Sequence, residues 1–424
     1  MKNEHHDTGW KWVPSLYFAQ GFPYILVIVV STVLYKNLGL SNAQITFYTG
    51  WFYLPWVLKP FWSPFVDHLK TKRFWIIATQ FIMGVLIASV GLTLPLEAYL
   101  KWSIIFFWLI AFSSATHDIA ADGFYMLALN SHQQSFFVGI RNTFWRVSSI
   151  AGQGGLVYLT GLLINHNVPV KNAWTLVLIF AGVVYFSIAL YHRFIFPKPA
   201  SDPEMRISNG KDAIVEYFKT FVSFFKRKNI IIFLLFVLLY RLGEAQLIKL
   251  AAPFLLDTKA AGGLELNNEQ VGWAYGTVGV IGLVLGGILG GIAASKKGLR
   301  FWIWPMTLAI MLPNFAFVYM AYAQPSNIIL IQILIAIEQF GYGFGFTAYM
   351  LYLIYFVQGE NRTSHYAIAT GIMALGMMVP GMISGWIQEL LNYQNFFIWV
   401  IISSVPGALL IPFLKIEKEF GKKN

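Results

Sequence analysis

Two strings, Ser63-Pro-Phe-Val-Asp67-His-Leu-Lys70-Thr-Lys72-Arg73 and Gly291-Ile-Ala-Ala-Ser295-Lys296-Lys297-Gly298-Leu-Arg300, decide how this chain is built. Each sets a small residue four places before a polar one and then runs into a basic cluster. Each follows the second long apolar segment of its half of the chain. A feature repeated six apolar segments apart is what two parallel repeats, related by an axis along the membrane normal, would leave in a sequence. One basic loop has a plainer reading, because Lys and Arg gather in any short cytoplasmic loop. The repeat carries the argument.

Around these strings the sequence divides into segments long enough to cross about 30 Å of hydrocarbon, which takes about 20 apolar residues each. Twelve are predicted: 12–35, 44–66, 74–94, 102–128, 137–164, 173–196, 229–256, 269–294, 301–323, 327–357, 365–391 and 395–414. The one long polar interval, 197–228, opens with Pro197, Pro199 and Pro203. It reads as a linker with a short surface helix around 211–225. The expected organisation is an N-terminal six-helix bundle (1–196), a cytoplasmic linker (197–228) and a C-terminal six-helix bundle (229–424).

Lys and Arg set the orientation. With the N-terminus in the cytoplasm, 23 of them fall on cytoplasmic segments and adjoining helix ends. Only Lys36, Lys101, Lys171 and Lys259 fall on the other side. Both termini are therefore expected in the cytoplasm. An odd number of spans would break this alternation.

Composition agrees. Only 12% of residues are charged, 57% are hydrophobic, and mean hydropathy is +0.61. Soluble domains carry about 25% charged residues, so too little polar surface exists here to coat a globule in water. The net charge of +11 would suggest nucleic acid in a soluble protein. Lodged in loops on one side, it sets topology instead. The absence of cysteine excludes disulfides, thiolate metal sites and cysteine nucleophiles. The short polar start precedes an apolar run too long for a signal-peptide core, with no small-residue cleavage site, so the first helix is expected to be retained.

An ionisable side chain at bilayer depth costs at least about 2.5–3.5 kcal/mol and is kept where it pairs internally or faces a wet cavity. The residues so placed are Lys59, Asp118, Asp122, Arg141, Arg146, Arg241, Glu244, Lys249 and Glu338, with Gln20 as a polar companion. Asp118 and Asp122 stand i, i+4 on one helix face and need a cation or a proton between them. Arg141, Arg146 or Lys59 would serve. The set reads either as a salt-bridge network closing a cytoplasmic gate or as a substrate and proton site. Arg241 and Glu244, i, i+3, read either as a self-satisfied buried pair or as an anion grip tuned by a carboxylate. Glu338 reads as a carboxyl that takes and releases a proton, or as an ionised partner of Arg241 or Lys249. The glycines along 276–291 and at 341–345 read first as close helix packing. Pro23, Pro55, Pro60 and Pro380 read as kinks. Trp51, Tyr53, Trp56, Phe124, Tyr125 and Trp145 could stack on a sugar ring but more often anchor or pack.

At these residues the chain resembles the AmpG-type muropeptide permeases, a branch of the major facilitator superfamily. Phe18-Ala-Gln-Gly-Phe-Pro23 is similar to the family's F-A-S-G-L-P, and Leu58-Lys-Pro-Phe-Trp-Ser-Pro-Phe-Val-Asp67 to L-K-F-x-W-S-P-x-x-D. Ser113-Ser-Ala-Thr-His-Asp118-Ile-Ala-Ala-Asp122 is similar to S-A-S-Q-D-I-x-x-D, and Leu239-Tyr-Arg241-Leu-Gly-Glu244-Ala to L-Y-K-L-G-D-A. Trp145-Arg146 falls on a family Tyr-Arg, and Glu338 on a family Glu. The two basic loops resemble the superfamily's cytoplasmic motif, with Ser63 in place of its glycine and Ser295 in place of its Asp. Asp67, Arg73, Arg141, Lys296, Lys297 and Arg300 are thereby gate or motif candidates. The resemblance implies proton-driven uptake of N-acetylglucosaminyl-1,6-anhydro-muropeptides across the inner membrane for cell-wall recycling. It makes Gln20, Lys59, Asp118, Asp122, Arg146, Arg241, Glu244 and Glu338 the substrate and coupling candidates. One departure bears on cargo: after Asp122 the family continues A-W-K-T-D, whereas this chain has Gly123-Phe-Tyr-Met-Leu127.

The expected class is thus an all-α membrane protein of major facilitator fold, twelve helices in two pseudo-symmetric bundles, working as a monomeric symporter. Its partners would be a small-molecule substrate, protons and the bilayer, with no nucleic acid, cofactor or metal. The alternatives are a permease for another sugar or amphiphilic anion, such as anhydro-N-acetylmuramic acid, and more remotely an intramembrane transferase, a channel or a scaffold. The transferase lacks its constellation. His117 and Asp118 are the one tempting pair, and neighbours on a helix diverge by about 100°.

Overall fold

The computed structural model describes residues 9–68, 70–129, 131–199, 202, 218–219, 221–358 and 362–421. Among them the structure is all-helical. Ten helices are long and apolar enough to cross a membrane. They are α1 (Val13–Asn37), α3 (Lys72–Thr93), α4 (Tyr99–Ala128), α5 (Ile140–Asn165), α6 (Val170–Ile195), α7 (Ile230–Leu256), α8 (Asn268–Lys297), α9 (Leu299–Ala323), α10 (Ile328–Phe356) and a continuous stretch His365–Phe413.

Twelve spans were predicted, and the difference has two local causes. The 49-residue stretch would run about 73 Å as one helix, over twice the hydrocarbon thickness. It turns at Asn392, whose φ of 59° and ψ of 172° are not helical. The stretch is therefore two helices, α11 (365–391) and α12 (393–413). The second predicted span is present as α2 in two pieces, Asn42–Trp51 and Leu54–His68. Proline clashes with the preceding turn and lacks an N–H, and the interruption at Phe52–Tyr53 lies just before Pro55. Neither piece alone meets a spanning length.

The contacts divide the chain into two compact units: unit 1, Met1–Leu34 with Leu58–Val215, and unit 2, Tyr35–Val57 with Glu216–Asn424. In unit 1, α3 packs on both α4 and α6, and α1 on the helix that begins at Ser131. Gly182 of α6 lies where a Cβ would press on the backbone of Ala88 and Gly84 in α3. In unit 2, α10 packs between α8 and α9, and α11–α12 packs on α7 and on the first half of α2. The small-residue stripe of α8 does what close packing requires: a Cβ on Gly286 would collide with the Phe340 carbonyl of α10.

Three helices carry π-helical turns, Leu26–Val30, Ile150–Leu156 and Gly272–Gly279. Besides α2, α7 is also interrupted. α7 runs as Ile230–Leu239 and Leu242–Leu256, with Arg241 (φ −107°, ψ 17°) at the break. Of the surface helix expected around 211–225, residues 218–219 and 221–225 are helical and 211–217 lie outside the described residues.

Candidate functional site

Unit 1 gives each of the paired aspartates its own cation. Lys59 Nζ of α2 stands 4.0 Å from Asp118 Oδ2 of α4, and Arg141 Nη2 of α5 stands 3.2 Å from Asp122 Oδ1. Tyr17 OH of α1 also donates to Asp122 Oδ1, at 3.4 Å. The Arg141 guanidinium lies over the rings of Tyr17 (4.4 Å) and Tyr125 (5.0 Å), a geometry that attracts cations. This braces α1, α4 and α5 together. Arg146 packs over the neighbouring Trp145 ring at 5.2 Å. Gln20 is buried.

A second polar cluster in unit 1 was missed by the sequence reading. Gln80 of α3 links two buried histidines. Its Oε1 lies 2.8 Å from His192 Nδ1 of α6, and its Nε2 lies 2.9 Å from His117 Nε2 of α4. His192 Nε2 lies 2.8 Å from Ser15 Oγ of α1. Four helices are joined by one chain of side-chain hydrogen bonds. His117 is thus turned away from Asp118, as their spacing requires.

In unit 2 the break in α7 organises the site. Released from helical geometry, Arg241 reaches the aromatic face of α10. It donates from Nη2 to Tyr342 OH, and its guanidinium sits 4.7 Å from the Phe346 ring centre, with Tyr342 and Tyr349 next. Tyr349 is itself tied down: its OH donates to the Val237 carbonyl, and its ring stacks on Tyr240, whose OH donates to the Gly345 carbonyl, both bonds at 3.0 Å. The i, i+3 spacing does not produce the local Arg241–Glu244 pair that it allows. Glu244 stands in the first turn after the break, is 2% exposed, lies within electrostatic reach of Arg241, and neither of its carboxyl oxygens has a hydrogen-bond partner within the protein. Acidic side chains are favoured at that end of a helix.

Glu338 of α10 is 1% exposed. Its Oε2 accepts from Gln339 Nε2 at 2.9 Å, and its Oε1 has no hydrogen-bond partner. It lies within electrostatic reach of Glu244 and of Tyr275 on α8. Lys249 does not serve as its counter-ion in the way the sequence allowed. Its Nζ donates instead to Thr49 Oγ1 of α2 at 2.9 Å and lies 5.3 Å over the Tyr53 ring. Unit 2 therefore holds an aromatic-seated cation and two carboxyls with unfilled hydrogen-bonding capacity around a broken helix. Arg241 Nε is likewise unpartnered.

At the end of unit 2 where α1 turns into α2, a polar clasp forms that sequence reading also missed. Lys36 Nζ pairs with Asp257 Oδ1 at 2.5 Å. Asp257 Oδ2 accepts from Tyr393 OH (2.6 Å) and from Asn42 Nδ2 (3.3 Å), while Asn42 also donates to Gln388 Oε1 at 2.6 Å. The Ala43 N–H donates to Glu389 Oε1 at 2.9 Å.

The two basic loops differ in what they touch. In unit 1, the Lys72 and Arg73 backbone N–H groups donate to Asp202 (2.9 and 3.2 Å), an anion on the first turn of α3. Arg73 Nη2 donates to the Arg193 carbonyl at 2.5 Å. The side chain of Asp67 lies outside the described residues. In unit 2, Lys296, Lys297 and Arg300 are exposed, and Lys297 lies 4.6 Å over Phe301. Among the described residues, His, Asp and Glu do not gather into a metal-binding group of three or more.

Comparison with known proteins agrees with this architecture. Chains of solved structure share it over almost their full length. A bacterial homolog of the human lysosomal transporter Spinster matches with a TM-score of 0.70 at 17% identity, covering 97% of each chain. A D-xylose–proton symporter matches with a TM-score of 0.71 at 12% identity, covering 99% of this chain and all of that one. In sequence, the chain is 24% identical to the putative transporter AmpG 4 of Rickettsia conorii, over 94% of each protein. It is 23% identical to the anhydromuropeptide permease of Escherichia coli, over 96% of this chain and 80% of that one. The sequence profile of the Major Facilitator Superfamily matches residues 15–355. With that match added to the helical architecture and the repeated basic loops, the chain belongs to the Major Facilitator Superfamily.

Proposed function

We propose that this chain is a proton-coupled symporter of the inner membrane. In this reading it carries peptidoglycan turnover products of the N-acetylglucosaminyl-1,6-anhydro-muropeptide type into the cytoplasm. Both termini are cytoplasmic, and 197–228 links two six-helix bundles, 1–196 and 229–424. The likeness to curated AmpG-type transporters over nearly the whole chain supports the cargo class.

The observation that carries the mechanism is the set of unsatisfied groups in unit 2. A buried polar atom without a partner costs about 1–3 kcal/mol, more if charged. Glu244, Glu338 and Arg241 together leave four such atoms. Groups without a protein partner are matched by water or by a ligand, and a polar cargo group would fill that place here. Arg241, presented by the broken helix, suits the carboxylate of a lactyl or peptide group. The rings of Tyr342 and Phe346 beside it suit an apolar sugar face. Glu338, with one neutral amide as partner, suits a proton that is taken up when the site is wet and given up elsewhere in the cycle. In unit 1, the Lys59–Asp118 and Arg141–Asp122 pairs serve as the gate that opens when cargo leaves.

One observation favours a smaller cargo. The stretch Gly123-Phe-Tyr-Met-Leu127 lacks the charges found there in the permeases it resembles, which would suit anhydro-N-acetylmuramic acid without peptide. A single experiment addresses both readings. Cells lacking their own permease express the chain and receive labelled anhydro-muropeptide or labelled anhydro-N-acetylmuramic acid. Accumulation of either that collapses on adding a protonophore supports the symporter and names the cargo. Accumulation of neither, or accumulation indifferent to the protonophore, sinks it.

A further inference from the structure

A groove of about 660 Å³ opens at the basic end of unit 2, and apart from Arg300, a motif candidate of the sequence, none of its lining residues has been given a role above. Arg300 and Trp304 from the start of α9 and Tyr355 from the end of α10 line one side; Leu414, Lys415 and Glu417, after the last helix, line the other. Its floor is built. The Leu299 N–H donates to the Phe420 carbonyl at 3.0 Å, and the Phe420 ring packs edge-on to Tyr355 at 4.8 Å. The chain after α12 is thereby folded back under α9 and α10.

Two cations and one carboxylate face the groove, and Arg300 and Lys415 are both exposed. Their depth matters. Arg300 is the second residue of a 25-residue apolar span, about 37 Å long, which exceeds the hydrocarbon core and puts its first turn among headgroups. Trp304, one turn deeper, sits where indole rings favour the boundary of headgroup and acyl chain. Trp304, Phe301 and Phe413 are exposed on this end. Cations above and an exposed apolar wall below match a molecule that is anionic at one end and oily at the other. A free phosphate would have no use for the wall, and an acyl chain alone no use for the cations.

We propose that this groove binds a glycerophospholipid of the adjoining leaflet, with the phosphodiester between Arg300 and Lys415 and the chains running past Trp304. Glu417 limits the site to one negative charge and offers a partner to a headgroup ammonium. The proposal is independent of the cargo and of the coupling residues.

The test uses the full chain, purified in detergent, with binding followed by native mass spectrometry. Three probes are compared: dioctanoyl-phosphatidylglycerol, dioctanoylglycerol and inorganic phosphate. The proposal expects the phospholipid to bind most tightly. It expects the double variant Arg300→Gln, Lys415→Gln to bind it about 30-fold more weakly, from the loss of two interfacial cations. Dioctanoylglycerol should not distinguish wild type from variant. Both substitutions are on the surface, and an unchanged melting temperature without lipid verifies the fold; if that temperature falls, Lys415→Gln alone is read, with a proportionately smaller loss. Equal phospholipid binding by wild type and variant overturns the proposal. So does dioctanoylglycerol binding as tightly as the phospholipid, or phosphate alone doing so.

Discussion

Replacing Asp257 with Asn should loosen the stretch 35–57 from the rest of unit 2. In the structure Asp257 is the hub of the clasp, taking Lys36 at 2.5 Å and Tyr393 OH at 2.6 Å. The paired side chains are 14% and 17% exposed, so water screens them only in part. Hydrogen bonds to charged groups contribute about 1.5–3 kcal/mol against about 0.5–1.5 for neutral ones. Asparagine keeps an acceptor for Tyr393 but loses the charge, which weakens two contacts by about 1–2 kcal/mol each. After a discount for screening, about 2 kcal/mol is lost from the docked arrangement, or about 30-fold in its equilibrium with a released one. Asn42–Gln388, Ala43–Glu389 and Lys249–Thr49 remain, so release should be partial. The sequence has no cysteine, so spin labels can be placed cleanly at Leu38→Cys and Ala260→Cys. Pulsed electron paramagnetic resonance should give one short distance in the parent and an added, longer population with Asp257→Asn. An unchanged distribution would show that Asp257 does not hold this stretch.

Other predictions follow from the same geometry. Arg241→Lys keeps the charge but loses the planar contact with Phe346 and the fixed donor to Tyr342, and the two residues are not interchangeable at stacked sites. The KM for uptake should rise about tenfold or more with Vmax less affected; an unchanged KM removes Arg241 from the binding site. Lys59→Gln with Asp118→Asn forms a double-mutant cycle, and at 4.0 Å and partial exposure the coupling in thermal stability should be about 0.5–1 kcal/mol. No measurable coupling would mean that the two charges merely stand near each other. Gln80→Leu leaves two buried imidazoles without their shared partner, so detergent-solubilised protein should lose about 2–4 kcal/mol. A melting temperature equal to wild type would mean that the hydrogen-bonded chain does not brace unit 1.

What the sequence made legible follows from the physics behind each signal. Membrane spans need length and apolarity, both visible in one dimension, and the boundary expected at residue 391 falls beside the non-helical Asn392. Pro55 marked the interruption in α2 because proline acts on its own backbone. The break at Arg241 had no proline to mark it, and Gly243, two residues on, is by itself a weak signal. The break depends on what the arginine finds on α10, which is a tertiary fact. The cost of buried charge singled out Lys59, Asp118, Asp122, Arg241, Glu244 and Glu338. Cation choice for the aspartates was open among three residues, and only geometry divided them between Lys59 and Arg141. The Gln80–His192 link and the Lys36–Asp257 clasp stayed hidden because each joins residues far apart in the chain. Lys36 in particular read as an ordinary loop cation. The stripe of glycine in α8 was legible as packing, and Gly286 against Phe340 is that contact.

The central claim is that Glu338 carries the proton that drives cargo uphill. Vesicles reconstituted with purified protein and given a pH gradient, alkaline inside, test it directly when labelled anhydro-muropeptide is supplied outside. Wild-type protein should concentrate the label inside, whereas Glu338→Gln should still exchange label across the membrane but stop at equal concentrations. Accumulation by Glu338→Gln equal to that of the wild type would contradict the account.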